Sequence, residues 1–282
     1  MVPATHIQSY LDVPPGPQRI ALVEQVERQT LRQLTQSVQE LSLYFKRLFD
    51  TTPVPYGVSK SAHTARLAEH LVRSAVDRAN IAPIDDFYEG DFDVRRVRWC
   101  PTVFGTLAQD LRVDAKASTE RSRIRPSASQ FSMPATITEP QSGRVVQNRR
   151  TVNPHIVLRP RVVGGPKRSE RTQAIAAITT VIYVHLHYKP LLKSILLVAS
   201  PHAYLRRRYN PSSAVNHIWS VGPEPNDPRA VRLNIGLLSA NPYSPWRVQE
   251  LRYSDPREIS FADPLWIDGP PRAGHPFAYI PA

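Results

Sequence analysis

The stretch from Gln18 to Phe49 constrains the fold of this chain more than any other segment. Its apolar residues recur in alternating steps of three and four, which places them along one side of an α-helix, while Glu, Gln, Arg and Lys fill the other side. These apolar positions are Leu31, Leu34, Val38, Leu41, Phe45 and Leu48. The pattern favours a long helix packed on the core of its own domain; the alternative is a coiled-coil seam with a partner chain.

A second helix and then a series of strands follow in the predicted order. Pro53 and Pro55 interrupt the first helix, and residues 61–80 again carry apolar residues at helical spacing. Short β-rich runs separated by Pro and Gly then predict strands at 93–100, 111–117, 179–188, 194–199 and 231–237. Residues 118–155 and the proline-rich end are predicted to lack regular structure. This order predicts an α/β domain with elaborations.

Charge and cysteine content narrow the class of protein. The chain has 282 residues and a formal net charge of +12, which points to a polyanionic partner, with nucleic acid ahead of a membrane surface; the alternative is charge that serves solubility alone. The single cysteine, Cys100, excludes a disulfide framework and zinc sites built from two or four cysteines. The sequence has neither a membrane-spanning apolar run nor a secretory signal, so we expect a cytoplasmic protein.

One acidic segment stands out in this basic chain. Residues 83–93 contain five acids and no Lys or Arg: Asp85, Asp86, Glu89, Asp91 and Asp93. About twenty residues later, a predicted strand contains Asp114, Ala115 and Lys116 in succession. Because residues two apart on a strand share a face, Asp114 and Lys116 are expected to project together.

This pattern fits metal-assisted cleavage of a phosphodiester. Two carboxylates from adjacent strands can hold a hard divalent cation such as Mg²⁺, while a lysine polarises the attacking water and neutralises charge that builds on the phosphate. The alternative is a surface salt bridge of Asp114 with Lys116 or Arg112. A three-residue motif alone favours that simpler interpretation, because it is frequent by chance.

Two histidines, His185 and His187, share a face of the predicted strand 179–188. A hydrogen-bonded pair is favoured over a zinc site, because the sequence indicates no third ligand nearby.

Longer sequence words carry a resemblance that covers roughly residues 20–255. An acid followed about twenty residues later by Asp-x-Lys on a strand resembles the PD-(D/E)xK nuclease superfamily. The words themselves are similar to the SfiI-like type II restriction endonucleases: VEQVERQTLRQL (23–34), RVRW (96–99), VDAKASTE (113–120), SPHAYLRRRYNP (200–211) and PWRVQELRYS (245–254). The superfamily's nominal Pro before the first acid is Phe92 here, and SfiI-like sequences lack that Pro too.

The resemblance implies a restriction-endonuclease-like core in which a mixed central sheet is flanked by helices. It further implies that Asp93, Asp114 and Lys116 are the catalytic residues, that Asp93, Asp114 and the backbone carbonyl of Ala115 bind Mg²⁺, and that Glu69 is a candidate ligand of a second metal. The chain is expected to form a single endonuclease domain, 1–282. Its parts would be a helical region (18–80), a catalytic sheet core (83–200), a DNA-recognition part (200–254) and an extended tail (255–282).

DNA contacts are expected from basic and amide side chains in the recognition part. The candidates are Arg206, Arg207, Arg208, Asn210, Arg229, Arg232, Asn234 and Arg247. Residues 232–234 resemble the family's base-reading strand, in which both outward positions are Arg; Asn234 departs from this. Because Asn suits adenine and Arg suits guanine, one base pair of a guanine-rich half-site is in doubt, unless the register has slipped or another arginine such as Arg229 compensates.

The resemblance implies a prokaryotic, cytoplasmic type II restriction endonuclease. Such an enzyme makes Mg²⁺-dependent double-strand cuts at an interrupted G/C-rich palindrome with 3′ overhangs, acts as a symmetric homo-oligomer (a tetramer ahead of a dimer) and is paired with a DNA methyltransferase. Two alternatives stay open. One is a structure-specific repair or resolving nuclease of the same fold, and the other is a DNA-binding protein whose nuclease site has lapsed.

Overall fold

The computed structural model describes residues 7–8, 10–81, 85–86, 92–126, 130, 135–138, 145–148, 155–158, 173–209, 218–221, 231–241 and 245–253. The helices are α1 (Pro17–Thr51), α2 (Lys60–Arg78), α3 (Arg206–Tyr209) and α4 (Ile235–Ser239). The strands of the first half are β1 (Ile7–Gln8), β2 (Asp85–Asp86), β3 (Val94–Thr102), β4 (Gly105–Ser118), β5 (Arg123–Ile124), β6 (Ala135–Thr138) and β7 (Val145–Asn148). Those of the second half are β8 (His155–Leu158), β9 (Gln173–Ala176), β10 (Ile178–Tyr188), β11 (Leu192–Ser200), β12 (Trp219–Val221), β13 (Val231–Asn234) and β14 (Val248–Arg252). The expected tail, 255–282, lies outside the described residues.

The long helix α1 packs on the core of its own domain, as its apolar stripe predicts. The chain enters through Gly16, whose positive φ of 103° suits glycine, and Pro17 occupies the first turn, where its missing N–H costs nothing. The predicted stripe is buried at Leu31, Leu34 and Val38. Ser37 Oγ donates to the Ala75 carbonyl at 2.6 Å, which ties α1 to α2. The coiled-coil alternative is therefore not needed to bury this stripe.

A mixed sheet forms the centre of the molecule. Its strand order is β14-β11-β10-β4-β3-β2, and β1 also pairs with β4. The pairs of β4 with β10 and with β1 are parallel, whereas β3–β4, β10–β11 and β11–β14 are antiparallel. The five longer strands, flanked by α1 and α2, confirm the predicted mixed sheet of an α/β fold.

The two faces of this sheet bury different sets of apolar residues. Along β10, Ile182 and Val184 join the core with α1 and α2, whereas Val181 and Tyr183 face a second core. A smaller sheet of order β12-β13-β5 contributes to the second core through Ile124 and other residues. The alternation predicted for residues 179–188 is confirmed. Each face of the sheet is thus covered, by α1 and α2 on one side and by the small sheet together with the N-terminal part of α1 on the other.

Two predictions of local structure are wrong. Residues 118–155 are not free of regular structure, because β5, β6 and β7 lie there. These strands are stabilised by hydrogen bonds to their partner strands, which a Ser-, Thr- and Arg-rich sequence does not indicate. The strand predicted at 231–237 ends at Asn234, whose side-chain oxygen accepts the N–H of Leu237 at 3.0 Å and caps α4. In the described part of the chain, no helix combines the length and the apolar character needed to cross a membrane.

Candidate active site

Two carboxylates meet at the junction of β3 and β4. The antiparallel register sets Val94 opposite Val113, so Asp93, directly before β3, falls beside Asp114. A hydrogen bond holds Asp93 there, because its Oδ2 accepts the backbone N–H of Ala115 at 2.6 Å. This hydrogen bond attaches the first acid to the strand that carries the second.

Asp114 and Lys116 project from the same face of β4, as the strand alternation predicts. Lys116 Nζ lies 2.6 Å from Asp114 Oδ2, and the Lys116 side chain is 25% exposed. Asp114 itself is buried. The pair is therefore not a solvated surface salt bridge, and Lys116 connects a buried carboxylate to the solvent side. The guanidinium of Arg112 binds Asp110 at 2.8 Å.

The environment of Asp114 disfavours its negative charge. The pKa of Asp114 is raised to about 6, chiefly by burial; the charge of Asp93 also raises it, while Lys116 and the hydrogen bond from Gln130 lower it. Because a cation would offset the negative charge of two neighbouring, partly buried carboxylates, this arrangement favours cation binding. Two carboxylates and the peptide carbonyl between Asp114 and Lys116 form an all-oxygen donor set of the kind that Mg²⁺ prefers. The residues present therefore fit this ion.

Two residues that the sequence did not indicate hold Asp114 in place. Gln130 Nε2 donates to Asp114 Oδ1 at 2.9 Å, and the Tyr183 hydroxyl donates to the backbone carbonyl of Gln130 at 2.8 Å. Tyr183 lies directly beside Asp114 in the parallel β4–β10 pair, and its burial raises its pKa well above the usual value. The position of Gln130 carries no sequence signal, because its contact with Asp114 depends on tertiary folding.

A buried ionic cluster adjoins the carboxylates. Asp110 binds Arg95 through both oxygens, at 2.8 and 3.0 Å, and Arg112 at 2.8 Å. Arg95 and Arg112 are directly opposite in the β3–β4 register, two residues along each strand from Asp93 and Asp114. The cluster fixes the two strands to each other next to the site.

Other predicted metal-binding residues have less defined positions. Glu69 is half-buried on α2, and its role as a ligand of a second metal stays a prediction. His185 is buried, and its Nε2 lies 2.9 Å from Ser118 Oγ, so it takes part in a hydrogen bond of the strand. Among the described residues, no group of three or more His, Cys, Asp or Glu side chains is arranged to hold a metal.

The expected DNA-binding residues separate into distinct environments. Arg206 and Arg207 are exposed on α3, whereas Arg208 is half-buried and pairs with Glu24 at 3.0 Å. Arg232 is largely buried and Asn234 caps α4. Asn210 and Arg229 lie outside the described residues.

Arg247 lies in the interior and is not available as a DNA contact. Its side chain and that of Glu27 are fully buried and form an ion pair at 2.6 Å. Arg247 Nε also donates to the Tyr209 hydroxyl at 2.8 Å, while Glu27 accepts the backbone N–H of His202 at 2.8 Å. The sequence analysis predicts Arg247 as a DNA contact, but these contacts make it the link between α1, α3 and the start of β14.

Comparisons with known proteins agree with one another. No family model matches the chain. The chain is 35% identical over 255 residues to the type II restriction enzyme SfiI of Streptomyces fimbriatus, covering 87% of this chain and 89% of that enzyme. The crystal structure of tetrameric restriction endonuclease SfiI bound to cognate DNA matches with a TM-score of 0.75 at 33% identity, covering 90% of this chain and 91% of that one. The restriction endonuclease BglI bound to its DNA recognition sequence matches with a TM-score of 0.56 at 14% identity, covering 83% of this chain and 91% of BglI, and this likeness shows the fold alone.

Proposed function

Since this chain belongs to the SfiI-like type II restriction endonucleases, which are site-specific deoxyribonucleases, we propose that it makes Mg²⁺-dependent double-strand cuts at an interrupted G/C-rich palindrome and leaves 3′ overhangs. The observation that carries this proposal is the juxtaposition of Asp93, Asp114 and Lys116 at one end of the β3–β4 pair. These residues lie in the same order as in the superfamily motif.

The metal would be held by oxygen atoms of β4 and of the residue that precedes β3. Asp93 and Asp114 would supply carboxylate oxygens, and Ala115 its backbone carbonyl; Glu69 is the candidate for a second ion. When bound, Mg²⁺ supplies Lewis-acid polarisation of the scissile phosphate and lowers the pKa of a water. Gln130 and the Ala115 N–H each occupy one carboxylate oxygen, which orients the remaining oxygens.

Lys116 would act on the attacking water and on the phosphate. Its ammonium group lies beside Asp114 Oδ2 at 2.6 Å, so it would bind and polarise the attacking water next to the metal-binding carboxylates. The positive charge of Lys116 would also stabilise the negative charge that builds on the phosphate in the transition state. Cleavage of the P–O3′ bond would leave a 5′-phosphate and a 3′-hydroxyl.

The assembly follows from the symmetry of the substrate. A palindrome presents two equivalent half-sites, so two copies of the chain related by a two-fold axis can cut both strands. We propose a homo-oligomer that binds double-stranded DNA, with a tetramer favoured over a dimer because the SfiI structure is a tetramer on cognate DNA. A cognate DNA methyltransferase in the same prokaryotic cytoplasm and a single endonuclease domain complete the proposal.

Digestion of long duplex DNA tests the function. We expect the protein with Mg²⁺ to yield discrete ends, whose sequencing reveals the half-sites and the overhang. Asp114→Ala should lower the cleavage rate by several orders of magnitude, because it removes a metal-binding carboxylate. The matched control is Asp77→Ala, which removes an acid from the exposed surface of α2 and should leave cleavage unchanged.

The other outcomes identify the alternatives. Cleavage that depends on branched or damaged DNA and not on sequence would indicate a structure-specific nuclease. Sequence-specific binding without cleavage by the unaltered protein would indicate a lapsed site.

A further inference from the structure

In the small sheet, Arg123 lies beside Asn234, and it is not among the DNA-binding residues that the sequence predicts. In the pairing of β13 with β5, Leu233 lies opposite Ile124 and Asn234 lies opposite Arg123. Leu233 and Ile124 are both buried in the core. Since successive residues of a strand alternate between faces, Asn234 and Arg123 share the outer face of the sheet.

Asn234 is poorly suited to reading a base by itself. A bidentate contact with adenine needs the side-chain oxygen as acceptor and the side-chain nitrogen as donor. The oxygen already accepts the N–H of Leu237 at 3.0 Å, where it caps α4. Binding a base with both atoms would therefore cost the cap of this helix.

Arg123 is held by its neighbours on both sides. Arg121 forms two hydrogen bonds with the buried Glu250, at 2.9 and 2.5 Å, and the Ser122 carbonyl accepts the N–H of Ile235 at 3.0 Å. Ile124 is buried. The backbone at Arg123 is thus fixed, while its side chain is 43% exposed. A fixed backbone that carries an exposed guanidinium group is the arrangement that precise readout requires.

The partner of Arg123 favours a base pair over a phosphate. Glu120 lies 3.6 Å from Arg123 and 3.5 Å from Arg125, and all three side chains are exposed by a third or more, so these ion pairs contribute little stability. A phosphate at this place would meet the Glu120 carboxylate. A G·C pair would not, because guanine offers O6 and N7 to an arginine fork while the cytosine N4 amine donates to a carboxylate.

We propose that Arg123 reads a guanine of the DNA site through O6 and N7, with Glu120 beside it to accept from the N4 amine of the paired cytosine. This inference rests on the proposed function and specifies which residue of the small sheet recognises DNA. Arg123 follows Lys116 by seven residues, which span at most about 25 Å, so the proposed contact lies near the candidate active site of the same copy of the chain.

A single-atom change in the DNA tests the inference. Once the cut sites are known, each guanine of the half-site is replaced in turn by 7-deazaguanine, which lacks the N7 acceptor, and relative kcat/KM is measured in competition with the unmodified duplex. For the unaltered protein, we expect a loss of about tenfold at the guanine that Arg123 reads. Arg123→Ala and Arg123→Lys should both lower kcat/KM on the unmodified site, and 7-deaza substitution at that one guanine should have no further effect on either variant.

Arg73→Ala is the matched control, because Arg73 is exposed on α2, which packs against the opposite face of the large sheet. It should keep the sensitivity to 7-deazaguanine at every position. The inference is overturned if Arg123→Ala retains this sensitivity at every guanine, or if Arg123→Lys restores normal cleavage, since lysine preserves a phosphate contact but not a bidentate one. Failure of the proposed function would give a different result, because the unaltered protein would then produce no discrete DNA ends at all.

Discussion

Neighbouring acids on β4 have different roles because their partners differ. Asp110 is fully buried but binds the guanidinium groups of Arg95 and Arg112. Asp114 lies four residues further along the same face of β4. It has Lys116 and Gln130 as partners and the carboxylate of Asp93 as a neighbour. The first acid therefore joins the two strands, and the second is the candidate metal ligand. A sequence pattern that reads only Asp and spacing does not distinguish them.

The side chain of Gln130 provides a direct test of how Asp114 is positioned. We expect Gln130→Ala to lower the single-turnover cleavage rate by about tenfold to a hundredfold and to raise the Mg²⁺ concentration needed for half-maximal rate, as loss of a partner that orients a metal ligand does. The rate is measured over a series of Mg²⁺ concentrations at saturating protein.

Tyr183→Phe is the companion variant for this prediction. It keeps the buried ring but removes the hydroxyl that donates to the Gln130 carbonyl, so we expect a smaller change in the same direction. An unaltered Mg²⁺ dependence in Gln130→Ala would show that Asp114 is oriented without Gln130.

The elements of the fold depend on helix α1, which lies against several others. Its apolar stripe contacts α2 and the large sheet, while its buried Glu27 binds Arg247 before β14 and the backbone of His202 before α3. The arginines of α3 thus occupy positions set by packing on this scaffold. The exposed arginines of α3, Arg206 and Arg207, keep the orientation that the buried contacts of Tyr209 impose.

The helical stripe predicts a contrast between two leucines of α1. Leu34→Ala removes a side chain from a closely packed core, and we expect the free energy of unfolding to fall by about 2–5 kcal/mol. Leu43→Ala on the same helix removes a side chain that is 41% exposed, and the expected change is within about 0.5 kcal/mol. Both values come from chemical denaturation followed by circular dichroism. Equal losses for the two variants would mean that the face of Leu43 is also covered, for instance by another copy of the chain.

At the scale of the whole molecule, one short connection joins the proposed catalytic residues to the small sheet that we propose recognises DNA. Strand β4 carries Asp114 and Lys116, and the chain then leads directly into β5, which pairs with β13. The connection is attached to the far edge of the large sheet by the Arg121–Glu250 ion pair. Under the proposed function, contact of the small sheet with DNA would therefore act on the end of the strand that holds the proposed catalytic residues.

Two buried histidines predict how the stability of the whole molecule depends on pH. Burial lowers the pKa of His185 and of His202 to about 4, from an ordinary value of 6.5; the charges of His187 and Arg247, respectively, act in the same direction. Their contribution to stability is complete above pH 6.5. Between pH 6.5 and 4 the unfolded chain binds protons that the folded chain does not. As the pH is lowered through this range, the free energy of unfolding therefore falls by up to about 1.4 kcal/mol per pH unit for each histidine.

This prediction is tested by the midpoint of denaturation between pH 7.5 and 5 without Mg²⁺. Asp114 has a raised pKa and acts in the opposite sense, so the measurement is made in an Asp114→Asn background. The slope should become flatter when His185→Gln and His202→Asn are added, since each amide can replace a ring nitrogen in its hydrogen bond. A slope that does not change with these substitutions would assign the effect to other groups.

Local patterns in the sequence were sufficient for several features. The stripe of α1, the alternation along β10 and the shared face of Asp114 and Lys116 depend on helical and strand periodicity, which is a property of adjacent residues. The sequence words that resemble SfiI-like enzymes likewise sufficed for the family and its fold. The cap of α4 at Asn234 was missed although its signal is local, because an apolar run of that length suits a strand and a short helix equally.

Features that join distant segments required the folded chain. The contact of Asp93 with the strand of Asp114, the hold of Gln130 and Tyr183 on that carboxylate, and the position of Arg123 beside Asn234 all follow from the register between strands. The buried ion pair of Arg247 with Glu27 joins residues from opposite ends of the sequence. Because of it, an arginine that the sequence predicts as a DNA contact lies in the interior. Periodicity determines which way a side chain projects from its own element, but the packing of elements determines what it meets there, and both the burial and the charge of the site arise from that second step.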